Sequence, residues 1–194
     1  MRVYRRTRIP GLIDPDIPAY VPVAADVSYN NIVSGNAAGS STLTFSMTVS
    51  ATGSNKLLVV GIGSTASISS VTFGAANLSH YNSHVGAIAR AGFWYLVNPS
   101  VSTATVTVTS SDGNDYMEAA GIDFYNVDQT TPFSDFDGSN GTSGTQNVSM
   151  TGEVGGLSYS ILKYWDNGGS ATAYGGTEIW NDTSDGSWQT SGST

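Results

Sequence analysis

Ser41-Thr42-Leu43-Thr44-Phe45-Ser46-Met47-Thr48-Val49 alternates polar and apolar residues without a lapse. A period of two puts Leu43, Phe45, Met47 and Val49 on one side of an extended chain and the hydroxyls on the other, the pattern of a half-buried antiparallel strand. Thr105-Val106-Thr107-Val108-Thr109 repeats the alternation with β-branched residues, which suit a pleated surface. Leu57-Leu58-Val59-Val60 differs, being apolar throughout. It is too short for an ordinary helix, so it predicts a strand covered on both faces. Further strands are predicted at 67–73, 87–97, 117–125, 146–151, 157–164 and 177–181. Turn-forming clusters separate them, including Thr52-Gly53-Ser54-Asn55, Asn98-Pro99, Asp112-Gly113-Asn114 and Asn167-Gly168-Gly169. No window carries a 3.6-residue period. The expected class is all-β: an antiparallel two-sheet sandwich, jelly-roll-like, over residues 26–194.

Residues 1–25 read differently. Pro10, Pro15, Pro18 and Pro22 are four of the six prolines in the chain. Proline at this density blocks helix and removes ladder donors, so an extended N-terminal arm is expected. Between the prolines lie Tyr4, Ile9, Leu12, Ile13, Ile17 and Tyr20, too apolar a set for a merely solvated tail. With Arg2, Arg5, Arg6 and Arg8 they form a candidate partner-binding arm that lies along another protein's surface.

Charge is split in the same place. Those four arginines are over half of the seven basic residues, leaving three basic against fifteen acidic side chains after Arg8, a formal −12. An acidic body repels phosphate, so no nucleic acid is expected on the sandwich itself. Only 11% of residues are charged, against about 25% in typical domains, so the surface must be polar but largely neutral. There is no cysteine, which excludes disulfides and thiolate metal sites. No apolar run is long enough for a membrane helix, and the basic start is followed by Pro10, Gly11 and Asp14 instead of the apolar core of a secretory signal. No membrane association is expected.

The residues that could carry chemistry are few. His80 and His84 are four apart, but the segment reads as a loop or strand end with no adjacent glutamate to complete a zinc motif. Asp112, Asn114, Asp115 and Glu118 are rich in oxygen, yet they lack the spacing of a calcium loop and read as a hairpin turn with solvated carboxylates. No Gly-x-Ser-x-Gly elbow or phosphate-binding loop occurs. The expectation is no enzyme, no cofactor and no metal. Trp94 lies in the apolar run Phe93-Trp94-Tyr95-Leu96-Val97 and is expected in the core. Trp165 and Trp188, beside polar glycine-rich segments, are the candidates for stacking on a glycan.

Four segments in order, Ser70-Val71-Thr72-Phe73-Gly74-Ala75-Ala76-Asn77-Leu78, Phe93-Trp94-Tyr95-Leu96-Val97-Asn98-Pro99, Thr103-Ala104-Thr105-Val106-Thr107-Val108-Thr109 and Phe124-Tyr125-Asn126-Val127-Asp128-Gln129-Thr130-Thr131-Pro132, carry a resemblance. Together they resemble a loosely defined group of β-sandwich domains found in phage virion proteins and large bacterial surface proteins. The likeness spans about residues 43–180 and excludes the arm. The motifs it shares are turns and core positions, and the group carries no shared catalytic set. In the group, further strands usually follow the position of Trp180, whereas this sequence stops at Thr194; the expectation is either that the sequence is cut short or that a strand place is left for a neighbouring chain to fill. The resemblance implies a structural virion component, a capsid decoration (cement) protein or a tail or fibre accessory. Its partners would be other virion proteins and further copies of itself. A glycan-binding module on a receptor-binding fibre or surface protein is the alternative.

Overall fold

A computed structural model describes residues 25–87, 89–139, 149, 151, 154–165, 178–182 and 188–193. Its strands are β1 (Ser28–Ser40), β2 (Thr42–Val49), β3 (Leu57–Ser64), β4 (Ile68–Phe73), β5 (Ala76–Asn77) and β6 (Ser79–Val85). They continue with β7 (Arg90–Val97), β8 (Ser102–Ser110), β9 (Asp115–Tyr125), β10 (Ser160–Trp165), β11 (Glu178–Asp182) and β12 (Trp188–Ser193). There is no helix among the described residues. All pairings are antiparallel: a central sheet ordered β1-β9-β3-β7-β6 and an outer sheet ordered β2-β8-β4-β5. Successive strands cross between these two sheets, β1 to β2 to β3 to β4 and again β7 to β8 to β9. That interleaving is the double Greek key of a jelly roll, with β6 added as an extra edge strand beside β7.

The core between the two sheets follows from the period-two residues. Leu43, Met47 and Val49 of β2, Val106 and Val108 of β8, and Leu58, Val60 and Ile62 of β3 are all buried. On β2 every second residue is buried and every other exposed, as the alternation requires. Trp94 joins this core at 9% exposure. Phe45 fixes the sheet separation, because its side chain crosses to the central sheet above Gly35 and Gly121. A β-carbon at either glycine would approach the Phe45 side chain to 3.1 and 3.2 Å.

β3 is buried at every position. Its other face packs with Ile122 and Phe124 of β9 and with Val127 into a second core, which Phe93, Tyr95, Phe133 and Tyr159 border. A third sheet, ordered β10-β12-β11, covers that side: β10 lies against β3 and β7, and β12 against β9. The continuous apolar run of β3 is therefore explained by two layers of cover, as read from the sequence.

Space for this third layer depends on Gly61. A β-carbon there would lie 2.7 Å from the Tyr159 hydroxyl and 2.8 Å from Ile161. Gly61→Ala is expected to cost about 1–3 kcal/mol by overpacking. Faster amide exchange in 157–165, with β2 and β8 amides unchanged, is the measurement that checks it.

Several elements differ from the sequence reading. β1, thirteen residues rich in Ser, Asn, Gly and Ala, has weak β propensity, and its pairing with β9 along nearly its whole length makes it a strand. Its small residues also leave room for Phe45. The histidine segment is β6, an edge strand whose polar residues need only one neighbour. The strand expected at 87–97 begins at Arg90, because the β6–β7 hairpin is closed just before it by a Gly86 N–H to Ala89 C=O bond of 2.8 Å. A strand does follow Trp180: β12 takes the middle of the third sheet. Most of 146–151, the greater part of the loop after Ser139, and residues 1–24, with them all the candidate arm residues from Arg2 to Tyr20, lie outside the described residues.

Candidate functional site

The central sheet has two distinct ends. At one, β1 begins opposite Tyr125, β3 begins at Leu57 and β7 finishes at Val97. Here the root of the N-terminal segment is pinned: the Val27 N–H donates to Gly155 C=O at 2.8 Å, and the Asn126 side-chain amide donates to Asp26 C=O at 3.2 Å. Asp123, fully buried, accepts from the Ser50 N–H at 2.8 Å and the Asn30 side chain at 3.1 Å, tying β1 to the β2–β3 turn. The opposite end, about 25 Å away along β3, holds the β3–β4 corner and the β6–β7 hairpin.

Asp115 organises that far end. Its buried carboxylate accepts from the Thr65 N–H at 2.8 Å, the Thr65 hydroxyl, the Ala66 N–H at 3.1 Å and the Ser110 hydroxyl at 2.6 Å. Asp115 and Glu118 are thus not the solvated turn carboxylates expected from sequence: both lie within β9, at 0% and 1% exposure. Asp112 alone of the three acids keeps the exposed turn role. No group of three or more His, Asp or Glu side chains suited to a metal ion occurs among the described residues.

Between the corner and the hairpin opens a cleft of about 290 Å³. Ile62, Ala91, Gly92 and Trp94 form its apolar side, and Ser67, Ser69, Ser83, His80 and Arg90 line it with polar groups. His80 packs on the Trp94 ring at 4.7 Å between centroids. Gly92 must lack a side chain, since a β-carbon would sit 2.9 Å from Ser83 Cβ and 3.2 Å from Trp94. The guanidinium of half-buried Arg90 has no hydrogen bond or ion pair to a described residue, and neither do the hydroxyls of Ser67 and Ser83.

A different arrangement covers β6 from the other side. Tyr81 stacks on Phe133 at 4.1 Å and meets Tyr95 and Phe136 edge-on. The 133–139 segment is held by aspartates: Asp137 accepts from the Ser149 N–H at 2.7 Å, and Asp135 accepts from the Thr151 N–H at 2.7 Å. Backbone N–H groups of Ser149 and then Gly138 hold the Asp137 carboxyl below its ordinary value, with His84 adding a smaller effect. Asp128 is lowered likewise by the N–H groups of Thr131 and Thr130, the aspartate of the Val-Asp-Gln-Thr-Thr-Pro corner. Each lowered carboxyl contributes stability above its ordinary value of 3.8 that is lost as pH falls through the folded-state value. A carboxylate-resolved NMR titration is expected to find both midpoints below that value; midpoints at or above it would contradict these bonds. Burial, and secondarily Asp135, raises Tyr81 above 10.0, so its linked stability is present below pH 10 and lost as pH rises through the folded value.

Of the sequence candidates, Trp165 and Trp188 are brought together: the β10–β12 register places the two positions directly opposite one another. The cleft escaped sequence reasoning because Arg90 and the serines are distant in the chain and form no motif. Arg90 as the one arginine after the arm was the available signal. The outward face of the outer sheet is the other missed feature. Thr42, Thr44, Ser46 and Thr48 face Thr109, Thr107, Thr105 and Thr103, and Ser70 and Thr72 extend the array, with no charged residue among them.

No family model, curated protein or solved structure matches the chain. The likeness to virion and surface sandwich domains therefore rests on the segments quoted above.

Proposed function

We propose that the protein is a structural virion component, a capsid decoration or a tail or fibre accessory, that works by assembly and binding and not by catalysis. Residues 1–25 dock it on the particle, with Ile9, Leu12, Ile13, Ile17 and Tyr20 burying apolar surface and Arg2, Arg5, Arg6 and Arg8 guiding the approach. The separation of a leader carrying four arginines from a body, residues 26–194, with three basic and thirteen acidic side chains, a formal −10, is the observation that carries this reading. Such polarity orients a molecule on an acidic partner, although each exposed arginine contributes little by itself. The pinned root at Asp26 and Val27 supports it too, because load on an arm passes there into the central sheet. The uncharged hydroxyl face suits packing against neighbours or further copies, since no charge must be desolvated there.

Particles assembled with a chain lacking residues 1–25 are expected to lose the protein, while the truncated chain keeps its β-sheet circular dichroism and cooperative melting. Normal incorporation of the truncated chain would refute the proposal.

A glycan-binding module is the second reading, favoured by the opposed positions of Trp165 and Trp188. Aromatic platforms contribute strongly to recognition. A glycan array is expected to give hits that Trp165→Ala and Trp188→Ala abolish. Unchanged hits, or none, remove it.

A further inference from the structure

We infer that the cleft between the β3–β4 corner and the β6–β7 hairpin is a binding site for an acidic sugar residue, a pyranose bearing a carboxylate. This inference is independent of both readings above. It requires neither the leader nor the third-sheet tryptophans.

Size comes first. About 290 Å³ is at the lower limit for small-molecule sites and suits one monosaccharide unit with an open side for the rest of a chain. The lining then selects the chemistry. A pyranose has an apolar face of C–H groups and a rim of hydroxyls. Ile62, Ala91 and Trp94 offer an apolar side, while the hydroxyls of Ser67 and Ser83, unspent among the described residues, can donate or accept at the rim. Ser69 donates to Thr109 C=O at 2.9 Å, which leaves its oxygen free to accept.

Arg90 decides between a neutral and an acidic sugar. Of the lysines and arginines among the described residues, Arg90 alone lines the cleft: Lys163 lies on β10 in the third sheet, and Lys56 is buried and spends its ammonium on Thr52 C=O. Arg90 presents a planar donor fork at the cleft with no described partner, and that fork matches a carboxylate in two parallel bonds. Asp115 holds the same corner, but its charge is met by four donors and is turned into the protein. A ligand without an anion would leave the guanidinium unanswered. An inorganic anion alone would leave the apolar side and the serines unused.

The test is ligand-observed NMR and titration calorimetry on the full chain with glucuronic acid, N-acetylneuraminic acid, glucose, acetate and inorganic phosphate. At least one acidic sugar is expected to bind, with glucose weaker by about tenfold to a hundredfold, the value of a charge-assisted hydrogen-bonded contact. Arg90→Gln is expected to reduce acidic-sugar binding by a similar factor with an unchanged melting temperature, and Ser83→Ala to reduce it by a smaller one. Should Arg90→Gln fail to fold, chemical-shift changes in the wild-type chain decide the place. Shifts confined to the amides of Ser67, Ser83, Arg90 and Gly92 support the site, and shifts elsewhere overturn it. Equal binding of glucose, equal binding of acetate or phosphate, or no binding by any of the five overturns the proposal. Loss on Trp165→Ala with no loss on Arg90→Gln would move recognition to the third sheet and would equally overturn it.

Discussion

Asp115→Ala is expected to destabilise the protein by about 3–5 kcal/mol, because the substitution orphans four donors that now share one buried carboxylate. For a chain of this size that is a fall in melting temperature of about 6–20 °C. The loss should be local before it is global. Thr65 and Ala66 give up their acceptor directly, and the Tyr116 N–H, which donates to the Thr65 hydroxyl at 3.3 Å, gives up its partner when that hydroxyl turns. Amide exchange at these three residues should therefore accelerate by more than the global change requires. Asp115→Asn tests the charge separately: the amide keeps the shape but turns a donor toward donors, so it should recover only part of the loss. A melting temperature within 2 °C of wild type for the alanine variant, against the shift just given, would show that the corner does not depend on this carboxylate.

Phe45→Ala is the second large effect, about 3–5 kcal/mol from lost burial plus the cavity left behind. Its special feature is the pair of glycines beneath the ring. Enlarging Gly121 alone overpacks, since a β-carbon there meets Phe45 at 3.2 Å and Met47 at 3.4 Å, and should cost about 1–3 kcal/mol. The double variant Phe45→Ala with Gly121→Val places new methyl groups in the vacated space. It should be more stable than the sum of the single changes predicts, by about 0.5–3 kcal/mol. Strict additivity in denaturant melts would mean that the ring does not set the distance between the sheets.

What was legible in the sequence was whatever a single strand announces about itself. The alternation from Thr42 to Val49 and the unbroken apolar run of β3 gave both their structure and their burial, one face for β2 and two for β3. β1 was illegible because its partner, not its composition, makes it a strand: Gly35, Ala37 and Ala38 say little until β9 lies beside them. β6 was hidden by its polarity, since an edge strand with Asn82, Ser83 and His84 has the composition of a loop. The buried acids misled for a related reason. Asp115 beside Asp112, Gly113 and Asn114 looks like turn chemistry, and only the arrival of Thr65 and Ala66 from fifty residues away converts it into a buried anchor. The cleft is of the same kind, because Ser67, Ser83 and Arg90 meet only after the β3–β4 corner and the β6–β7 hairpin are both in place. Tertiary proximity built these sites, and period and propensity do not encode it.

The pairing of Ser28 with Tyr125 has a consequence for synthesis. A ribosome adds about 5–20 residues per second, so the first strand must wait on the order of 5–20 s for β9, its one sheet partner among the described residues, to be made and longer for it to clear the exit tunnel. In that interval the nascent chain holds an unpaired edge at β1 and an apolar β3 whose third-sheet cover has yet to be made. On the docking proposed above, a partner of the leader would have the same interval in which to engage it, ahead of the domain behind it.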